Sequence, residues 1–522
     1  MHRFLHRLWP NPSMSVLLLL LLVLAAPALM AAQSGVDKTN SAQPGCARLP
    51  AHACLAQAID AMGGRAKLEG IHGARFDVIG HQALVEQSYR QDPFITSYER
   101  EQTTLDFDGH RLVSTVHAVW PESDPHTADS DVTLIVTAQG GMYRMKEGNA
   151  PSSLADLEAA RGVWALDPLR LLLTAEAASD LHYEAPEVLR STAHAVLAFR
   201  WNGLPIRVLL NAYNHLPDAL ESTRTFQDFW FAWGDVRQRI YFDNWQLVQG
   251  VVFPTNRVEE RNGVLWKSSQ LLDVSFNPTP DDAAFVIDAA VAAKSTQSLG
   301  WNRTFRDSDR VELAPGVELF KGAWNATLIK HDDGVLVLEA PIAPSYAQGV
   351  FARARSEYPG LPIKGVLSTS DSWPHIAGVR EAVAEKIPVY ALDLNRPLLD
   401  RLVAAPHMQH PDALQNDPQR PHWIEIAGKL EVGKGANRVV LYPLRGASTE
   451  RQYMVYFPEH KLLYASDTLA LNPDQSLYDP ELMHEVVQAV EREHLRVDRV
   501  FAMHQGPTPW RDVVRLVQKA TK

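Results

Sequence analysis

At 522 residues the chain exceeds one ordinary domain, and 46% hydrophobic with 21% charged residues is a globular composition, not a disordered or fibrous one. Its formal net charge of -11 argues against nucleic acid or an anionic membrane as the main partner. That charge identifies no substrate.

The chain opens like a signal peptide over 1–32. Arg3 and Arg7 make a basic start, Val16 to Leu24 is an unbroken aliphatic run, and Ala26-Pro-Ala28 through Ala31-Ala32 supplies small residues for cleavage. The run is shorter than the about 20 residues of a membrane span, so no stable span is expected after cleavage; an uncleaved anchor is the alternative. Cys46 lies too far downstream to carry a lipid anchor, and the mature protein is expected to be periplasmic or secreted. A polar, flexible segment covers 33–50. Cys46 and Cys54, the only two cysteines, are candidates for a disulfide in an oxidising compartment, with two free thiols as the alternative.

Apolar positions Ala51, Leu55, Ile59 and Met62 predict a short helix, which Gly63-Gly64 stops. From Ala74 to about Asn277 the apolar period falls to two, with turn signals at Asp108-Gly, Gly140-Gly, Asn202-Gly and Asn262-Gly. This predicts a curved antiparallel sheet, so that 51–290 reads as a β-rich domain. One helical interruption is expected over Ser152 to Ala177. The aromatic run Phe226-Gln-Asp-Phe-Trp-Phe-Ala-Trp233 reads as packing, with a binding trough as the other reading. The segment Ile240 to Pro254 and the helix ending Ala61-Met-Gly-Gly64 resemble bacterial lipoprotein-carrier-like half-barrel domains. That resemblance bears on fold alone.

Pro278-Thr-Pro280 breaks the strand pattern, and from about residue 309 to 522 strands and helices alternate, as in an α/β layered domain. The most informative stretch there is Leu367-Ser-Thr-Ser-Asp-Ser-Trp-Pro-His-Ile-Ala-Gly-Val-Arg380. It follows a hydrophobic strand and enters a helix through small residues. With Asn325 to Leu338, Leu441 to Glu459, Leu463-Tyr-Ala-Ser-Asp467 and Phe501-Ala-Met-His504 in order, it resembles the metallo-β-lactamase superfamily. The overall expectation is a two-domain α+β protein: a curved antiparallel sheet domain followed by an αββα sandwich.

The resemblance implies a hydrolase-like protein, and it implies where metal ligands would fall. Two histidines at i and i+2 face one way in an extended segment and grip one zinc with a third. An Asp-His pair and a later histidine grip a second, and a bridging aspartate joins the two. Carried onto this chain, the first-metal positions are Ser370, Ser372 and Ser448, and Pro374 stands where the second site has its aspartate. Hydroxyls are weak zinc ligands, so the ordinary two-metal centre is not expected. His375, Asp467 and His504 remain, a two-histidine, one-carboxylate set that suits one zinc or iron ion, or none. Asp371 is an auxiliary carboxylate in a spacer position.

Two further readings follow from the same residues. A nucleophilic serine among Ser370, Ser372 and Ser448 would need a base in reach, and no Gly-x-Ser-x-Gly elbow surrounds any of them. A non-catalytic protein would keep the pocket without metal and bind a small-molecule or envelope ligand. His407, His410 and His422 read as parts of a solvated loop, and His331 and His460 as turn residues.

Overall fold

The computed structural model describes residues 44–83, 96–119, 130–146, 148–279, 281–294 and 303–520. The expected signal peptide over 1–32, and the expected flexible segment up to residue 43, lie outside the described residues. The described residues from Gly45 onward form one compact unit. No helix among the described residues is long and apolar enough to cross a membrane.

The period-two half folds into a thirteen-stranded antiparallel sheet. Two meanders, one of six strands and one of seven, join where the first strand, Gly73–Ala83, pairs with the last, Val264–Phe276. The Asn202-Gly203 and Asn262-Gly263 turns have both residues at positive φ, the combination that matches the twist of a tight hairpin. Bulges at Asp77/Val78 and Glu259/Glu260 bend the strands around their inner face. The predicted first helix is Ala51–Ala61, and a disulfide between Cys46 and Cys54 ties it to the turn before it. The expected 152–177 interruption is two helices, Leu154–Leu166 and Pro168–Ala177. The break falls at Asp167-Pro168: proline at the first helical position has no N–H to lose, and Asp167 caps it by accepting from Leu169 N at 3.0 Å. Both helices pack into the main core of this sheet.

Beyond residue 309 two sheets run in chain order. The second sheet has seven strands, Arg310–Ala314 to Trp423–Ile426, antiparallel at first and parallel from Gly334–Leu338 onward. The third has six, Leu430–Val432 to Thr508–Pro509, with one parallel pair, Leu462–Tyr464 beside Arg499–Phe501. One apolar cluster draws residues from both sheets, such as Leu336, Leu338, Val455 and Phe501. A second joins the seven-stranded sheet to helices Pro344–Glu357, Val379–Ala384 and Arg396–Ala404. A third joins the six-stranded sheet to Pro480–Arg492 and Trp510–Ala520.

The aromatic run does not form a strand. Phe229–Trp233 is a 3-10 turn, capped by Asp228; Phe229, Phe231, Ala232 and Trp233 pack into the cluster of the seven-stranded sheet, while Trp230 packs with Phe226, Val236 and Trp266. Nearby, Asp235 N donates to Pro406 O at 2.8 Å, and Asp235 Oδ2 accepts from Met408 N at 2.6 Å. The expectation of a solvated loop is corrected at His407, which is buried with Nδ1 3.6 Å from Asp412 Oδ2, whereas His410 and His422 are exposed as expected. Docking against the other half supplies burial that local polarity does not suggest.

Gly378, between the short helices Trp373–Ile376 and Val379–Ala384, shows how tightly this region is packed. A Cβ there would lie 1.9 Å from Ala340 O, a backbone atom that cannot swing away. Gly378→Ala should lower stability by about 1–3 kcal/mol, read as a fall in the urea midpoint at unchanged slope.

Candidate functional site

The loop between strand Ile363–Leu367 and helix Trp373–Ile376 is buried throughout: Ser368, Thr369, Ser370, Asp371, Ser372 and His375 are all shielded from solvent. Backbone bonds fix its neighbours. Glu339 N donates to Leu367 O at 3.0 Å, Tyr453 N to Thr369 O at 3.0 Å, and Met503 N to Ser466 O at 3.0 Å. The last bond ties the strand ends that carry Asp467 and His504. Glu339 and Ser466 have φ of 65° and 55°, unfavourable for residues with a Cβ and tolerated where surrounding contacts over-determine the backbone.

His375, Asp467 and His504, far apart in sequence, meet here. His375 Nε2 is 3.6 Å from Asp467 Oδ2, and His504 Nε2 is 3.0 Å from Asp467 Oδ1. The far sides of both rings are also engaged. His504 Nδ1 lies 2.8 Å from Ala323 O, and His375 Nδ1 lies 3.0 Å from Glu339 Oε2. The His375 contacts are ion-pair distances without hydrogen-bond alignment.

Glu339 is the residue that reading the sequence missed. It is fully buried and accepts from Thr369 N at 3.3 Å, from Thr369 Oγ1, and from Tyr464 OH at 3.3 Å. Its signal was a lone acid closing the apolar strand Gly334–Leu338. A carboxylate in that place needs partners, because burying an unpaired charge is costly.

The four groups form a chain, Glu339, His375, Asp467, His504, of alternating sign. Burial alone would lower the His375 pKa, but the Glu339 and Asp467 carboxylates outweigh it and push it up to about 10. Burial likewise opposes the shift at His504, where Asp467 raises the pKa. At Asp467 burial favours the neutral acid, and the two rings hold the carboxylate well below its usual range. Carboxylate and imidazole thus alternate along the chain, each ring lying against at least one carboxylate oxygen.

The serines make other contacts. Ser370 Oγ donates to Ser372 Oγ at 3.5 Å and accepts from Ser372 N at 3.2 Å, while Ser368 Oγ donates to His375 O at 3.1 Å. Both His375 nitrogens face carboxylates, so that ring is no base for a serine. Ser448 is held by the helix Pro480–Arg492, its N donating to Glu485 Oε1 at 3.0 Å. Pro374 lies in the short helix Trp373–Ile376. The Trp373 ring stacks on Phe229 with centroids 3.9 Å apart, which sets the aromatic turn of the first half against this loop.

As metal ligands, the remaining residues have suitable donor atoms in an unsuitable arrangement. Asp467 gives one oxygen to each ring, and among the described residues no group of three or more His, Cys, Asp and Glu side chains is set to hold an ion.

No protein-family model and no curated protein matches the chain. Solved structures do. An inverting sec-alkylsulfatase from Pseudomonas sp. matches at 16% identity over 40% of this chain and 40% of its own, with a TM-score of 0.30. The match therefore spans well under half of that enzyme. A metallo-β-lactamase from Erythrobacter litoralis matches at 16% identity over 42% of this chain and 99% of its own, TM-score 0.33. One from Pontibacter korlensis matches at 12% over 40% and 98%, TM-score 0.32. Likeness at this level assigns no activity. Over about two-fifths of its length, the chain is similar to solved proteins of metallo-β-lactamase fold.

Proposed function

We propose that the protein is an exported, hydrolase-like member of the metallo-β-lactamase fold whose metal centre has been replaced by a charge chain running from buried Glu339 and His375 through half-buried Asp467 to exposed His504, leaving a non-catalytic binding or scaffold protein. In this reading 51–290 is the β-rich domain and 309–522 an αββα sandwich, whose layers are the helix, sheet, sheet and helix clusters described above. The location is periplasmic or secreted. The basic and aliphatic start of the sequence supports export, and the Cys46–Cys54 disulfide suits an oxidising compartment.

One observation carries the reading. Every ring nitrogen of His375 and His504 already faces a carboxylate or a carbonyl, while the first-metal positions are the hydroxyls of Ser370, Ser372 and Ser448. A base needs a free lone pair and a metal needs converging donors; this arrangement supplies neither.

A second reading keeps one zinc or iron ion on His375, Asp467 and His504. The Nδ1 contacts to Glu339 and Ala323 favour it, since a metal-ligating histidine commonly ties its far nitrogen to a carboxylate or carbonyl.

Elemental analysis separates the two. Full-length protein purified from the exported fraction without added metal should carry well under one equivalent of zinc or iron. It should also show no turnover of ester, lactone, lactam or thioester substrates. About one equivalent of metal, lost in both Asp467→Ala and His504→Ala, would establish the second reading.

A further inference from the structure

The inner face of the thirteen-stranded sheet encloses a cavity of about 880 Å³, closed on one side by the helix Leu154–Leu166. This is within the size range of small-molecule sites. The helix leaves the space open because the residues it turns inward include Ala155, Ala159 and Gly162. A Cβ built on Gly162 meets nothing within 4 Å. A helix placed there only to complete a core would fill that volume, since protein interiors pack densely.

The walls are amphipathic. Phe76, Leu105, Leu112, Leu134, Val163 and Phe242 make an apolar part. A charged band crosses the neighbouring strands. Lys267 Nζ lies 2.7 Å from Glu99 and 3.8 Å from Glu101, so one cation serves two carboxylates. Glu259 pairs in register with Lys267 across the last two strands. Arg261 is likewise shared, 3.0 Å from Glu259 and 2.8 Å from Asp228. The remaining cations are matched singly, Arg257 to Asp167 at 2.8 Å and Arg224 to Glu158 at 2.7 Å. Asp156 accepts only neutral donors, Tyr143 OH at 2.7 Å among them. Among the described lining residues seven carboxylates therefore face four cationic groups, and the surplus lies mainly in the band. A cavity wall of one net sign favours a ligand of the other, the more so in partly desolvated surroundings.

We propose that this cavity binds a single-chain cationic amphiphile, with its ammonium or guanidinium head on the Glu99, Glu101, Glu259 and Asp228 band and its tail along the apolar wall beneath the helix Leu154–Leu166. The site does not depend on the state of the His375 loop. A ligand there would survive any outcome of the metal measurement.

The test is calorimetric titration of the full-length exported protein with dodecyltrimethylammonium, dodecyl sulfate and dodecyl maltoside, each below its micelle concentration. Dodecyltrimethylammonium should bind one to one and at least about tenfold more tightly than dodecyl sulfate. Gly162→Phe should weaken it by at least about tenfold, with a melting temperature that holds or rises because a helical glycine has been replaced. The double variant Glu99→Gln, Glu259→Gln should bring the cationic and anionic chains within about threefold of each other while dodecyl maltoside is unchanged. No saturable binding, binding that survives Gly162→Phe, or a preference for dodecyl sulfate would overturn the proposal.

Discussion

Glu339→Ala should lower the unfolding free energy by about 3–5 kcal/mol, the cost of removing one partner from a buried ion pair. The size follows from what remains. His375 is fully buried and keeps only Asp467, whose nearer oxygen is 3.6 Å away. Thr369 N, Thr369 Oγ1 and Tyr464 OH lose their acceptor at the same time. Glu339→Gln keeps the shape and an acceptor oxygen, so it should recover part of the loss, with the remainder reporting the charge. Urea unfolding at fixed ionic strength reads both variants, and an alanine variant within about 1 kcal/mol of wild type would remove Glu339 from the chain of charges.

Asp412→Asn should cost a similar amount, about 3–5 kcal/mol, at neutral pH. Asp412 grips Arg380 in a two-pronged pair, with Nε to Oδ2 at 2.6 Å and Nη2 to Oδ1 at 2.9 Å. Arg380 Nη1 also donates to Leu402 O, Val403 O and Ala405 O at 2.7 to 3.1 Å, which fastens the helix Val379–Ala384 to the end of Arg396–Ala404. Burial favours the neutral acid at Asp412, and its bonds to Arg380 and Gln415 N more than offset that, leaving its pKa below the ordinary value. A depressed carboxylate contributes stability above its unfolded pKa and loses it as pH falls through the folded one. The gap between wild type and Asp412→Asn should therefore be full at pH 6–8, narrow below about pH 4, and close under stronger acid. Thermal melts across that range check it; a gap independent of pH would mean that packing, not charge, is what the substitution removes.

Local chemistry made much of the fold legible. The Ala51–Ala61 helix followed from its spacing and its glycine stop, and the hairpins from Asn-Gly pairs whose φ values the turns require. Other features were illegible because their cause is distant. The split at Asp167-Pro168 was within reach of local rules, yet the Phe229–Trp233 turn takes its place from Trp373, over a hundred residues on. His407 looked solvated among polar neighbours and is buried because Asp235 and Thr223 anchor the loop around it.

The candidate site divides in the same way. The amino-acid sequence by itself determined the identity of the groups: serine at three positions where the resemblance would put first-metal ligands, Pro374 at a fourth, and a remainder of His375, Asp467 and His504. Only the tertiary structure decided what those groups do to one another. Glu339 enters from another strand, both far-side nitrogens are engaged, and the Asp467 oxygens are divided between two rings. Charges act over a few ångströms in a buried space, and which charges come that close is set by strand ends meeting across the fold, not by their spacing along the chain.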